Sequence, residues 1–445
     1  MPRFDPRPRL RRVLQRLRDR AAGYVGRFGK RTEEFLSGDA VSEPIDFSAP
    51  SIPYYENLAA RLSFAKVVLY MALLVFVVVT VISNHTLITY ENLYYLAKDI
   101  GAATQTAQSR ADQVSYPISS SGTDFALYRG GVAVAGCEVV TVLSGSGRQT
   151  LSENVAYADP CVREGETFCL TFGLGERSFS VYNAFVRIHS ETTEFPIYDA
   201  AVGGDGSFAV VTRSRDYKSE VLLYNGNMER VAVYRLNGYV TGVSMNESGD
   251  RLGVVSVESR NSIWVTKVTV IRIGNRITES VATVEGTLGS TCGFITEDRF
   301  AVLFSDRLMI LASDATVMGE KRFEGSTLSL AAIGRGSVAI LSREGDGLSS
   351  SVLTVYDRNA REDYRLELPS NHPITHAGDP TALCFGGNTL YMRAGDTLFR
   401  VAGCGRSITS LPVSRDTLNI LPLDADEALI CTPAYAYRVE SKDFQ

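Results

Sequence analysis

The chain is short of the residues that most often carry chemistry. In 445 residues there are four histidines and one tryptophan. His85 and His189 stand alone. His372 and His376 are four apart, but Pro373 lies between them in a β-rich context, which removes the helix that would aim both rings at a zinc ion. The seven cysteines include no adjacent pair, and their odd number gives no disulfide framework. Cys169, Cys292, Cys384 and Cys431 read as small buried hydrophobes. The most plausible disulfide is Cys161 with Cys169, which could lie across one hairpin, and the sequence leaves open whether the two are bonded. Ser144-Gly145-Ser146-Gly147 lacks the lysine of a phosphate loop and reads as a hairpin turn. Gly289-Ser290-Thr291-Cys292-Gly293 imitates a nucleophile elbow, but a strand follows where that motif needs a helix. The sequons at Asn84 and Asn246 are incidental. No catalytic residue, cofactor or metal is expected.

What the chain does have is one long apolar run. Residues 62–82 carry a single charge, Lys66, and 67–82 carry none. As a helix this stretch is about 31 Å long, the thickness of a bilayer's hydrocarbon core. No polar stripe interrupts it, as one would in a soluble helix. A transmembrane helix over 62–83 is therefore expected. A cleaved signal peptide fits poorly, because the leader ahead of the run is far too long.

Charge sets its orientation. Residues 1–66 hold 13 Lys/Arg against 8 Asp/Glu, and the rest of the chain holds 32 against 42. Basic flanks stay in the cytoplasm, so the N-terminus is expected inside and residues 84–445 outside the cell membrane. Within 1–36, Leu10, Val13, Leu14, Leu17, Ala21, Tyr24 and Phe28 recur at helical spacing. Arg9, Arg11, Arg12, Arg16, Arg18, Arg20 and Arg27 fill the other faces. This basic amphipathic helix suits the anionic inner leaflet, with membrane lipid as the partner and nucleic acid unfavoured. Residues 37–61 read as a proline-containing linker, and 84–116 as a juxtamembrane helix and spacer.

From residue 117 to 445 the texture is β throughout. A turn rich in Gly and acidic residues, then a nearly continuous apolar strand, recurs at 163–172, 203–211, 247–255, 296–303, 334–341, 386–392 and 424–431, with a weaker copy at 129–135. The apolar strands begin near Val132, Phe168, Phe208, Leu252, Phe300, Val338, Leu390 and Leu429. Spacings of about 40 residues are those of four-stranded propeller blades. Strands apolar at nearly every position fit blades buried on both faces. The fold class is all-β: a β-propeller, eight blades favoured and seven possible, preceded by the transmembrane and basic helices. Residues 125–128 are the expected source of the strand missing from the last unit.

These repeats, the basic arm, the span and Tyr90-Glu91-Asn92-Leu93-Tyr94-Tyr95 resemble bacterial propellers of the WD40/quinoprotein-like superfamily. More narrowly, they resemble a domain-of-unknown-function family (5711) of single-pass membrane proteins. The resemblance implies this architecture and brings no catalytic residues. Tryptophan-docking repeats, sialidase-type Asp boxes and the WD dipeptide are all absent.

The function expected is a scaffold that is not an enzyme: a membrane-anchored extracytoplasmic propeller binding a protein or cell-wall partner at one rim or at its central mouth. The alternatives are an enzyme acting on an extracellular glycan or small alcohol through mouth carboxylates, and a transmembrane sensor. Carboxylates converging in a sealed pocket would favour the enzyme, and a mouth of mixed lining would favour binding.

Overall fold

The computed structural model describes Ile52–Ser83, Gln113–Ser115 and residues 123–145, 147–274, 277–344 and 350–445. The chain forms two compact units, Met1–His85 and Thr86–Gln445. The seven arginines from Arg9 to Arg27, Asn84, His85 and the juxtamembrane stretch 84–112 lie outside the described residues.

The first unit contains a 32-residue helix, Ile52–Ser83. It begins ten residues ahead of the expected span and takes in part of the expected linker. Pro53 does not prevent this, because an imide in the first turn forfeits no intrahelical bond. Lys66 Nζ lies 5.8 Å from the centre of the Tyr70 ring. Among the described residues no helix is long and apolar enough to cross a membrane; several of this helix's side chains lie outside them.

The second unit is a ring of eight four-stranded antiparallel sheets. Blades 1 to 7 occupy 124–154, 160–192, 197–236, 239–285, 289–322, 326–369 and 380–412, each in simple up-and-down order. Second strands such as Gly131–Ala135, Cys169–Gly173 and Arg299–Phe304 are buried at almost every position, as their unbroken apolar character requires. Outermost strands alternate: Arg230–Leu236 turns every second residue to water.

Eight apolar clusters fill the eight interfaces between neighbouring blades. Phe172, Phe179 and Leu170 of blade 2 meet Phe208 and Tyr224 of blade 3, with the Phe208 and Tyr224 rings stacked at 4.6 Å. Phe125, Val132 and Val134 of blade 1 meet Leu429, Cys431 and Ala436 of blade 8, which closes the circle. Each fully buried aliphatic or aromatic side chain contributes on the order of 1.5–3 kcal/mol, so the ring is held by packing between blades.

Blade 8 differs. Its strands Asn419–Pro422, Glu427–Cys431 and Tyr435–Glu440 are completed by Gln113–Ser115, which pairs antiparallel with the last of them, Val114 opposite Ala436. This corrects the expectation for residues 125–128. They belong to the inner strand of blade 1, where Phe125 is needed at the interface with blade 8. The closing strand lies ahead of the expected boundary at 117.

All seven cysteines are free thiols. Cys161 and Cys169 do share a hairpin, but Glu164 stands opposite Cys169 and Phe172 opposite Cys161. The two side chains therefore leave opposite faces of the blade. Cys169 packs toward blade 1 and Cys161 toward blade 3, where no bond can join them.

Candidate functional site

Because every blade runs in the same direction, all turns from first to second strand lie on one face of the ring. There the ends of the inner strands and these turns enclose an open cavity of about 600 Å³. Its apolar lining comes from Leu127, Val202, Met245, Phe294 and Ile295, and its charges from Glu164, Glu166, Glu247, Glu297, Arg129 and Arg335. Blades 1 to 6 all contribute.

The turns are stitched to one another around this mouth. Tyr128 Oη donates to Thr167 O at 2.7 Å, Thr167 Oγ1 to Gly204 O at 2.8 Å, and the Gly204 N–H to Glu247 O at 2.9 Å. Asp205, in the blade 3 turn, accepts from the Ser207 N–H at 2.8 Å and from its hydroxyl at 2.9 Å. Gly249 of blade 4 comes so close that a Cβ there would sit 1.8 Å from Asp205 Oδ1, and its φ of +72° is also glycine's.

Asn246 anchors the next step. It is 1% exposed, and its Nδ2 donates to Asp250 Oδ1 at 2.6 Å, Glu297 Oε2 at 2.7 Å and Ser248 Oγ at 2.8 Å. Its Oδ1 accepts the Arg251 N–H at 2.9 Å. An asparagine so enclosed is no glycosylation acceptor. Burial alone would raise the Asp250 pKa, but hydrogen bonds from Asn246 and Ser248 outweigh it and hold the carboxyl below its ordinary value. Arg335 of blade 6 reaches past blade 5 to Glu247 of blade 4, 2.6 Å apart. Arg129 Nε donates to Glu166 O at 3.5 Å.

Below the rim, Arg163 links three inner strands. It bonds Asp199 of blade 3 at 2.9 Å and lies 3.6 Å from Asp124 of blade 1. Glu164 differs from these paired groups. Its side chain is exposed on the cavity wall, yet desolvation by the surrounding protein raises its pKa, opposed by a backbone hydrogen bond from Leu127.

The other residues singled out by sequence have structural roles. His372 caps a one-turn helix, Pro373–Ala377, its Nδ1 accepting the Ile374 N–H at 3.3 Å. Pro373 therefore starts a helix where it was expected to exclude one, since its fixed φ suits a first helical position. His189 lies on the outer strand of blade 2, 3.4 Å from Glu191 and 5.9 Å from the Phe179 ring. Residues 289–293 fall inside the strand Gly289–Thr296, and burial raises the pKa of Cys292, leaving an unreactive thiol. Ser144, Gly145 and Gly147 do lie in a hairpin turn, closed by the Gly147 N–H on Ser144 O at 2.8 Å. Among the described residues no three His, Cys, Asp or Glu side chains are grouped as a metal ion requires.

In the sequence the mouth residues are not set apart from the other Gly- and acid-rich turns of the repeat. The available signal was positional: Glu166, Glu247 and Glu297 occupy the same turn of the second, fourth and fifth repeats, and equivalent turns of a ring share one face.

The chain belongs to the family of unknown function DUF5711, which matches residues 104–379. No curated protein matches it. Similar solved structures include Hsv2 from Kluyvelomyces marxianus (13% identity, 62% of this chain and 88% of that one, TM-score 0.42). Apo AztD from Citrobacter koseri is also similar (12%, 68% and 86%, 0.45). A third is BamB from Moraxella catarrhalis (10%, 63% and 96%, 0.37).

Proposed function

We propose that this DUF5711 member is a binding scaffold, anchored by a membrane span over residues 62–82 with its propeller outside the cell, and that it holds a protein or cell-wall partner at the open mouth. The observation that carries this reading is the mixed character of the mouth. An apolar floor lies under charges that are largely tied to neighbouring turns, Glu247 to Arg335 and Glu297 to Asn246. Groups held in fixed positions by their neighbours recognise a surface at low entropic cost. Catalytic carboxylates require a freer proton inventory and a closed pocket.

The charge asymmetry about the span supports its orientation. Glu164 favours a second reading, because a carboxyl with a raised pKa is the form a general acid takes in glycan cleavage.

Proximity crosslinking from the propeller in intact cells tests the scaffold. Wild-type protein is expected to capture a partner that the Arg129→Glu/Arg335→Glu double variant loses while keeping its β-sheet spectrum. Identical capture by both overturns the assignment to the mouth.

A further inference from the structure

The opposite rim, where second strands turn into third strands, carries a different feature. In blade 4 these strands run Arg251–Arg260 and Ile263–Arg272, ten residues each, against five or six in blades 1, 2, 3, 5, 7 and 8. They join at Asn261 and Ser262, both with positive φ (52° and 64°), a tight hairpin turn. The inner strand of blade 4 starts only at Tyr239, opposite Val257. Glu258, Ser259 and Arg260 therefore continue past it, and among the described residues no strand pairs with their inner edge.

Beside this open edge is an aromatic and cationic wall. Trp264 stands opposite Ser259, two places along from the Val257–Tyr239 pair, so Trp264 and Tyr239 share one face of the sheet. They are 53% and 59% exposed. Lys218, from the neighbouring loop of blade 3, places its ammonium 5.6 Å from the Tyr239 ring centre. Arg215 in the same loop is exposed and has no carboxylate partner among the described residues.

We infer that the open inner edge of this blade 4 hairpin is a second docking site, and that its occupant is an extended acidic segment of another protein. The segment adds as a short strand to the edge at Glu258–Arg260. Its acidic side chains meet Lys218 and Arg215, and its apolar ones lie on Trp264 and Tyr239. Three observations select this occupant. An unpaired backbone edge offers N–H and C=O groups that only another main chain matches in register. The uncompensated cations call for negative charge. The hairpin's apex is polar, with Trp264 set back on its wall, which is the wrong shape for a wedge into lipid.

Trp264 is the chain's single tryptophan, so its fluorescence reports this site alone. The experiment titrates the full-length chain with a capped Val-Glu-Val-Glu-Val-Glu peptide. The comparison probes are the Val-Lys analogue, a backbone N-methylated Val-Glu peptide and phosphatidylglycerol vesicles. The Val-Glu peptide is expected to shift Trp264 emission saturably. N-methylation, the lysine analogue and the Lys218→Glu/Arg215→Glu variant should each weaken binding about tenfold or more. Lys218→Gln, a milder change at an exposed position, should weaken it less. An absent shift overturns the inference. So does equal binding of the N-methylated peptide, which means charge alone, and so does a response confined to the vesicles.

Discussion

Arg163 and Asp199, 36 residues apart on the inner strands of blades 2 and 3, form a 2.9 Å ion pair that also draws in Asp124 of blade 1. The guanidinium lies 5.7 Å from the Phe172 ring centre as well, so one side chain ties three blades together electrostatically and packs against their core. Arg163→Met keeps the packing and leaves two carboxylates without their cation. A loss of about 1–2 kcal/mol is expected, moderated because all three side chains are partly solvated. Urea denaturation of the two proteins, compared by midpoint, measures it.

Asn246→Ala removes the donor shared by Glu297, Asp250 and Ser248, and the acceptor of the Arg251 N–H. With the site buried, no water replaces it at full strength. The expected destabilisation is about 2–3 kcal/mol, read as a lowered Tm. Asn225→Ala, at an exposed turn, should shift Tm far less despite losing comparable bonds.

Glu164 offers a pH test with a definite sign. A carboxyl whose folded pKa is raised opposes folding once pH exceeds its unfolded value, because the folded state resists the charge. Glu164→Gln is therefore expected to raise Tm at pH 7.5. The difference should close as pH falls through the ordinary carboxylate range and the wild-type side chain takes up its proton. Calorimetry at pH 4 and pH 7.5 decides it, and a variant less stable at both contradicts it.

The thiols give the simplest measurement. Cys404 alone of the seven is exposed, while burial pushes Cys169, Cys384 and Cys431 each up to about 12 and Cys161 to about 11. Maleimide at pH 7.5 is expected to label Cys404 of the folded chain rapidly and these four only after denaturation. Mass spectrometry without reductant should find no disulfide. A bonded Cys161–Cys169 pair would contradict the opposite-face geometry.

How much was legible follows from what each strand buries. Second strands near Phe208 or Phe300 announce themselves because both faces are covered, and all eight fall where the repeat places them. The closing strand Gln113–Ser115 is three residues long and bonds only through one edge, so it leaves no apolar trace. The face assignment that separates Cys161 from Cys169 depends on register, and a shift of one residue would reverse it. The mouth was invisible for another reason: Glu247 and Arg335 are 88 residues apart, and only the curvature of the ring brings them together.

Val114 pairs with Ala436, so among the described residues the first strand of the ring to leave the ribosome pairs with the last. Seven blades can assemble in order as they emerge, but the eighth waits for the final strand. The ring thus gains its lock only at the end of synthesis, and a chain interrupted just before Tyr435 leaves Glu427–Cys431 and Gln113–Ser115 with unpaired edges in blade 8, edges of the kind that recruit other chains.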